Sequence, residues 1–280
     1  MDGWTKARLA TLVVLGAWMA SAQPTLAHGG RLPFDTWGGF AGDVLRCQRV
    51  IAQAAAQCAT GAWTARRACR ETTVAGGTCD EAATVNRIAV ARRAAQDAVD
   101  DACSERQAIS LQYLGTFDLQ QDLISFCRDW ERAADSGVFG RPASGAACAL
   151  AAADAATDVM QYALRARRRC MDRVAASPPG SVERSGFLET AGHRLEAAVD
   201  RAVSKLTAAC PDFAARYGQS PHDLITTLAT RANCVGGAFY IQDAILCPAA
   251  ECGNGVVEPN EDCDDGNTAN GDACPALCVN

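Results

Sequence analysis

Between Cys47 and Cys247 the apolar positions recur with a helical period, and the breaks between them are few. Val85, Ile88, Ala95 and Val99 fall on one helical stripe. Leu188, Leu195, Val199, Ala202 and Leu206 form another further along. Alanine fills much of the remainder, and alanine has no side-chain entropy to lose in a helix. Gly76-Gly77 ends a first helix, and Thr78-Cys-Asp-Glu81 has the spacing of a capping box that starts a second. Gly61 weakens the first helix by ~1 kcal/mol relative to alanine and leaves room for a bend. Ser177-Pro-Pro-Gly180 is the corresponding break in the second half, and Asp223 in Ser220-Pro-His-Asp223 is a helix-start residue. The pattern predicts antiparallel helices in an all-α fold.

The cysteines add a second periodicity. Cys47, Cys69, Cys103 and Cys127 are separated by 22, 34 and 24 positions, and Cys148, Cys170, Cys210 and Cys234 by 22, 40 and 24. Ala-Arg-Arg-Ala-Cys69 also matches Ala-Arg-Arg-Arg-Cys170. Two copies of one helical unit are expected, the extra length of the second falling in its middle loop. At a rise of about 1.5 Å per residue, Cys47 to Cys69 spans roughly 33 Å and Cys79 to Cys103 roughly 36 Å. In a hairpin those matched lengths bring Cys69 beside Cys79 at the turn and Cys47 beside Cys103 at the open end. Cys58 lies 11 residues from both Cys47 and Cys69, close to a whole number of turns, so all three share a face. Its expected partner is Cys127, on a third helix that folds back across the hairpin. In the second copy Cys148 to Cys210 is the expected staple, and Cys170, Cys234 and Cys247 have no assigned partner.

Composition then sets the compartment. All 15 cysteines lie at or beyond Cys47, no C-x-x-C occurs, and there are three histidines, so zinc, haem and thioredoxin-like readings lack their ligand spacing. Disulfides in an oxidising compartment follow. The odd number leaves one cysteine over, capped, buried or bonded to another chain, which opens a route to oligomers. Lys6 and Arg8 precede an apolar run from Leu9 to Ala20, too short to span a bilayer and of the form of a secretory signal peptide. Small residues fit cleavage after Ala22 or Ala27, with Ala27 preferred. No later run reaches membrane-spanning length, so no integral membrane segment is expected.

A net charge of −6 and a pI near 5.1 argue against nucleic acid as a partner. Arginines cluster at Arg66-Arg67-Arg70 and at Arg165-Arg167-Arg168-Arg169, and on Ala-rich helices the expected reading is a solvated face rather than a phosphate site. No G-x-S-x-G elbow, P-loop, Rossmann fingerprint or H-E-x-x-H motif occurs. His193 and His222 lack a nucleophile in any readable motif and are expected at the surface or in a cap. No catalytic residue is assigned.

The C-terminal segment is different in kind. It runs Cys252-Gly-Asn-Gly255, Glu258-Pro-Asn-Glu261, Cys263-Asp-Asp-Gly-Asn267, Gly271-Asp272 and Cys274-x-x-x-Cys278. It resembles the Myxococcus cysteine-rich repeat, a small secreted module similar to the calcium-binding Lin-Notch repeat. Ala273 departs from the pattern where a glycine is expected. The resemblance implies export, a disulfide framework using Cys252, Cys263, Cys274 and Cys278, and calcium held by Asp264, Asp265, Asn267 and Asp272. Calcium takes six to eight oxygens, and converging carboxylates without an ion would repel. The same residues are also turn formers on conformational grounds alone, and both readings stand. The helical part, through Cys47-Gln48, Cys69, Cys79-Asp80 and Cys103, loosely resembles uncharacterised exported deltaproteobacterial helical repeats with no assigned activity.

The sequence thus predicts a signal peptide over 1–27, a linker over 28–43, disulfide-stapled antiparallel helical units over 44–136 and 144–247, and an irregular cysteine-rich module over 248–280. The expected function is that of a secreted, periplasmic or cell-surface structural or binding protein, without catalytic activity, whose partner is an extracellular protein or surface component. The alternative is an exported hydrolase with an unrecognised site.

Overall fold

A computed structural model describes residues 42–140, 145–177 and 182–240, the last without the side chains of 182–185, 188 and 189. Among the described residues eight helices follow in order: α1 Gly42–Val74, α2 Glu81–Ala102, α3 Glu105–Ser110, α4 Thr116–Phe139, α5 Ala146–Ala176, α6 Val182–Ala209, α7 Phe213–Tyr217 and α8 Pro221–Gly237. Among the described residues there is no strand, and the fold is all-α. None of the helices is long and apolar enough to cross a membrane.

Two long Ala-rich helices form the centre. α1 packs against α2, α4, α5 and α8, and α5 against α6, α8, α1 and α4. Alanines make this possible: Ala52, Ala55, Ala59 and Ala62 on α1 and Ala152, Ala153 and Ala156 on α5 are buried, and their small side chains let several neighbours approach closely. The larger side chains fill the gaps, with Trp63, Met160 and Met171 fully buried on the central helices and Trp130, Leu119 and Leu123 on α4. α1 and α5 run antiparallel. The Trp63 Nε1–H donates to Thr157 Oγ1 at 2.8 Å, while nearer the start of α1 the Gly61 region faces Arg165 and Arg168.

The four expected pairings that fall on described residues are present. Cys47–Cys103 and Cys69–Cys79 close the two ends of the α1–α2 hairpin, with Cα separations of 5.1 and 5.0 Å. Cys58–Cys127 ties α4 across α1 at 5.6 Å, and Cys148–Cys210 joins the start of α5 to the residue after α6 at 5.2 Å. Cys47, Cys58 and Cys69 are all buried, so the eleven-residue spacing does place them inward. Cys234 on α8 is also disulfide-bonded. Cys170 belongs to none of the four bridges; it is buried, and its Sγ donates to the Phe187 carbonyl at 3.3 Å. Cys247, Cys252, Cys263, Cys274 and Cys278 lie outside the described residues, as do Asp264, Asp265, Asn267 and Asp272.

Local details correct the sequence reading in three places. Thr78 does not cap α2; Asp80 does, its Oδ1 accepting from the Ala83 N–H at 2.9 Å. The bridge to Cys69 holds Cys79 in the connecting segment after Gly76 (φ +84°), so the helix cannot begin before Glu81. Val85 is 57% exposed and does not belong to the buried stripe of α2, which is Thr84, Ile88, Ala95 and Val99. Thr84 takes the inner place because its hydroxyl is satisfied locally, donating to the Asp80 carbonyl at 2.9 Å. Leu195 in the α6 stripe is half-buried while Val199, Ala202 and Leu206 are buried, and Leu188 is among the side chains outside the description.

Gly61 marks a close approach, with α1 continuing through it as helix. A Cβ there would stand 3.1 Å from the Ala91 Cβ on α2. Gly61→Leu should therefore force the hairpin apart and lower stability by about 1–3 kcal/mol, read as a fall in the urea midpoint. An unchanged midpoint would mean that α2 yields freely at Ala91.

Candidate functional site

The two arginine clusters have opposite fates. Those of α1 are neither a solvated face nor an anion site, which corrects the sequence expectation. Arg66 Nε donates to Glu131 at 2.6 Å and its Nη1 to Glu81 at 2.8 Å. Arg67 pairs with Glu71 and with Asp154 on α5, and donates to Thr157 Oγ1 at 2.8 Å. Arg70 donates to both carboxylate oxygens of Asp135 at 2.8 and 2.6 Å. These guanidinium groups are internal ties from α1 to α2, α4 and α5. Burial pulls the Arg66 and Arg67 pKa values down, but the carboxylates outweigh it and both end above the ordinary value. Arg70 is raised by its bond to Asp135 against a smaller effect of burial.

One half-buried carboxylate on α4, Asp129, works against the fold. Burial raises the pKa of Asp129 above its ordinary 3.8, and Arg128 and Ser125 only partly offset this. A group with a raised folded-state pKa favours the folded state below the unfolded value, and that advantage disappears as pH rises through the folded value. Asp129→Asn should accordingly stabilise the protein at neutral pH, with the gain shrinking toward zero as pH falls below 3.8. Urea titrations of both proteins across that range check it, and a variant less stable at neutral pH would contradict it.

On α5 the cluster divides. Arg165 and Arg169 line a cleft of about 490 Å³ between α5 and α6, together with Arg173 and, from α6, Arg194. Arg168 turns toward a neighbouring cleft against α1, which Arg165 also borders, and the Arg167 Cβ lies where α5 approaches α8 closely, 3.0 Å from a Cβ placed on Gly236. Helical geometry makes this division: Arg165, Arg169 and Arg173 recur every four residues and share a face, whereas Arg167 and Arg168 are rotated off it. The floor of the cleft is apolar, with Phe187, Ala166 and Ala191 beside the buried Cys170. The Arg173 guanidinium lies 5.5 Å from the centre of the Phe187 ring, a cation–π contact that fixes one wall. Among the described side chains that line the cleft none is acidic. Among the described residues Arg165, Arg169, Arg173 and Arg194 form no ion pair; Arg165 Nε donates to the Gln161 carbonyl at 2.9 Å.

The sequence reading had the start of this site and not its shape. Arg165 and Arg169 belong to a visible basic run, while Arg173 and Arg194 lie outside it. The four-residue spacing was available as a signal for Arg173; nothing local to α6 marks Arg194, which joins the cleft only through the hairpin.

The other candidates carry no site. Cys69, Cys79 and Glu81 bring ligand atoms within 4.8 Å of one another, but the two sulfurs are bonded to each other and Glu81 pairs with Arg66. His193 and His222 are exposed, the first 3.3 Å from Glu196, the second at the start of α8, where Ser220 and Asp223 form a capping box. No protein-family model, no curated protein and no solved structure matches the chain.

Proposed function

We propose that the protein is an exported, non-enzymatic binding protein, rigidified by disulfides, with the arginine cleft between α5 and α6 as its binding site. The observation that carries this reading is the set of four bridges linking α1 to α2 and α4, and α5 to α6, since such a framework persists in oxidising compartments and is lost in a reducing cytosol. The apolar run after Lys6 and Arg8 supports the same compartment, and the C-terminal resemblance supports a calcium-stabilised module at Asp264, Asp265, Asn267 and Asp272. The two halves are proposed as copies of one unit. Each places a short helix, α3 or α7, between its second and last long helices.

Intact mass and non-reducing peptide mapping of the protein recovered from the periplasm or medium test the reading. The expected result is a chain beginning after Ala22 or Ala27 with all four bridges formed. A reduced, unprocessed chain retained in the cytosol overturns it. In the same material, millimolar calcium should raise the thermal midpoint and a chelator lower it; an unchanged midpoint removes the ion. Assays on peptide, ester and glycan substrates should stay at background.

A further inference from the structure

We infer that the α5–α6 cleft takes an organic phosphate monoester, an oxyanion carried on an apolar body; this rests on the binding reading above and specifies its ligand. Charge comes first. Arg165, Arg169 and Arg173 stand ~6 Å apart along α5 at successive four-residue steps, a spacing at which like charges repel and destabilise a helix. Arg194 adds a fourth positive charge from α6. In the α1 cluster the same molecule handles this problem with carboxylates, pairing Arg66, Arg67 and Arg70. Among the described side chains of the cleft it supplies none. In the register that aligns Cys69 with Cys170, the α1 positions matching Arg165, Arg169 and Arg173 hold Thr64, Ala68 and Thr72, so the charges are particular to this groove.

Shape and chemistry narrow the ligand. A volume of about 490 Å³ suits a small organic molecule, and bare phosphate would leave most of it empty. Phe187, Ala166 and Ala191 offer an apolar surface to a body that bare phosphate lacks. One arginine saturates a carboxylate in a bidentate pair, whereas a phosphate monoester has three acceptor oxygens and close to two charges to share among guanidinium groups on two helices.

The test is calorimetric titration of the oxidised full chain with 1-naphthyl phosphate, alongside inorganic phosphate and 1-naphthol. The proposal expects saturable binding at one site, with both fragments about tenfold weaker or worse. Arg169→Ser with Arg194→Ser should weaken 1-naphthyl phosphate by at least about tenfold, since two charge-assisted contacts are lost. Arg87→Ser with Arg201→Ser, two exposed positions away from the cleft, should leave it unchanged and controls for net charge. Phosphatidylcholine vesicles with and without phosphatidate form the second arm. Binding to phosphatidate vesicles that the cleft variant abolishes places the monoester on a lipid headgroup, while binding of the soluble compound alone makes the ligand a free solute. Binding in neither arm, equal loss in both variants, or 1-naphthol binding as tightly as its phosphate would overturn the proposal. None of these results alters the export and bridge mapping, by which the underlying reading stands or fails separately.

Discussion

Replacing Cys58 and Cys127 together with serine should lower the unfolding free energy by about 4 kcal/mol, the value that loop-closure entropy assigns to a bridge of this span. The two residues are separated by 69 positions, the largest separation of the four bridges. Both sulfurs are buried where α4 crosses α1, and without the bridge α4 retains only side-chain contacts to α1: Leu119, Leu123 and Trp130 packed inward, and the pairs of Glu131 and Asp135 with Arg66 and Arg70. Chemical denaturation of the double variant, with Cys69→Ser/Cys79→Ser as a comparison, reads the effect. That second bridge spans 10 positions and should cost about 3 kcal/mol or less. Equal losses in the two variants would mean that native-state packing, not chain entropy, sets the value. Because α4 leads directly toward α5, loosening it should also loosen Tyr217, whose hydroxyl donates to the Val138 carbonyl at 2.9 Å.

Glu131→Ala should cost about 3 kcal/mol, the lower end for removing one partner of a buried pair, because Arg66 keeps its second, exposed partner in Glu81. The reason lies in what remains. The Glu131 side chain is 7% exposed and Arg66 17%, so the substitution leaves a guanidinium with little water to replace its acceptor. Arg92 suffers as well. Burial already depresses its pKa, Arg128, Arg132 and Arg66 press in the same direction, and Glu131 opposes them. Pairing Glu131→Leu with Arg66→Met should restore much of the loss, since a buried ion pair is often replaceable by apolar side chains of similar size. If the double variant were no better than Glu131→Ala, the damage would lie in packing rather than in the stranded charge.

The hairpin and its bridges were legible because their causes are local and periodic. Alanine content and stripe spacing set helices, Gly76-Gly77 set a stop, and matched lengths brought Cys47 to Cys103 and Cys69 to Cys79. Where two local signals competed, the sequence alone misjudged. Thr78 and Asp80 are both good caps, and the constraint that selects Asp80 is a bond made to Cys69 ten residues earlier than Cys79. Val85 and Thr84 could each have faced inward; the satisfied Thr84 hydroxyl allows the polar residue to be the buried one. Gly61 read as a weak point in α1 because propensity considers one helix at a time, whereas its role depends on Ala91 of another.

The arginines show the same boundary at the level of function. From their sequence context the α1 and α5 clusters are alike, two basic runs ahead of a cysteine on an alanine-rich helix. Whether such a charge is neutralised depends on which helices pack beside it. α4 and α5 bring Glu131, Asp135 and Asp154 to the first cluster, while α6 brings Arg194 and Phe187 to the second. Sequence by itself determined the long helices of the hairpin, their stop and four of the cysteine pairs, because those follow from periodicity, helix rise and short-range chemistry. Only the tertiary structure decided which arginines became struts and which were left lining a cleft, because electrostatic neutralisation is a property of neighbours from distant parts of the chain.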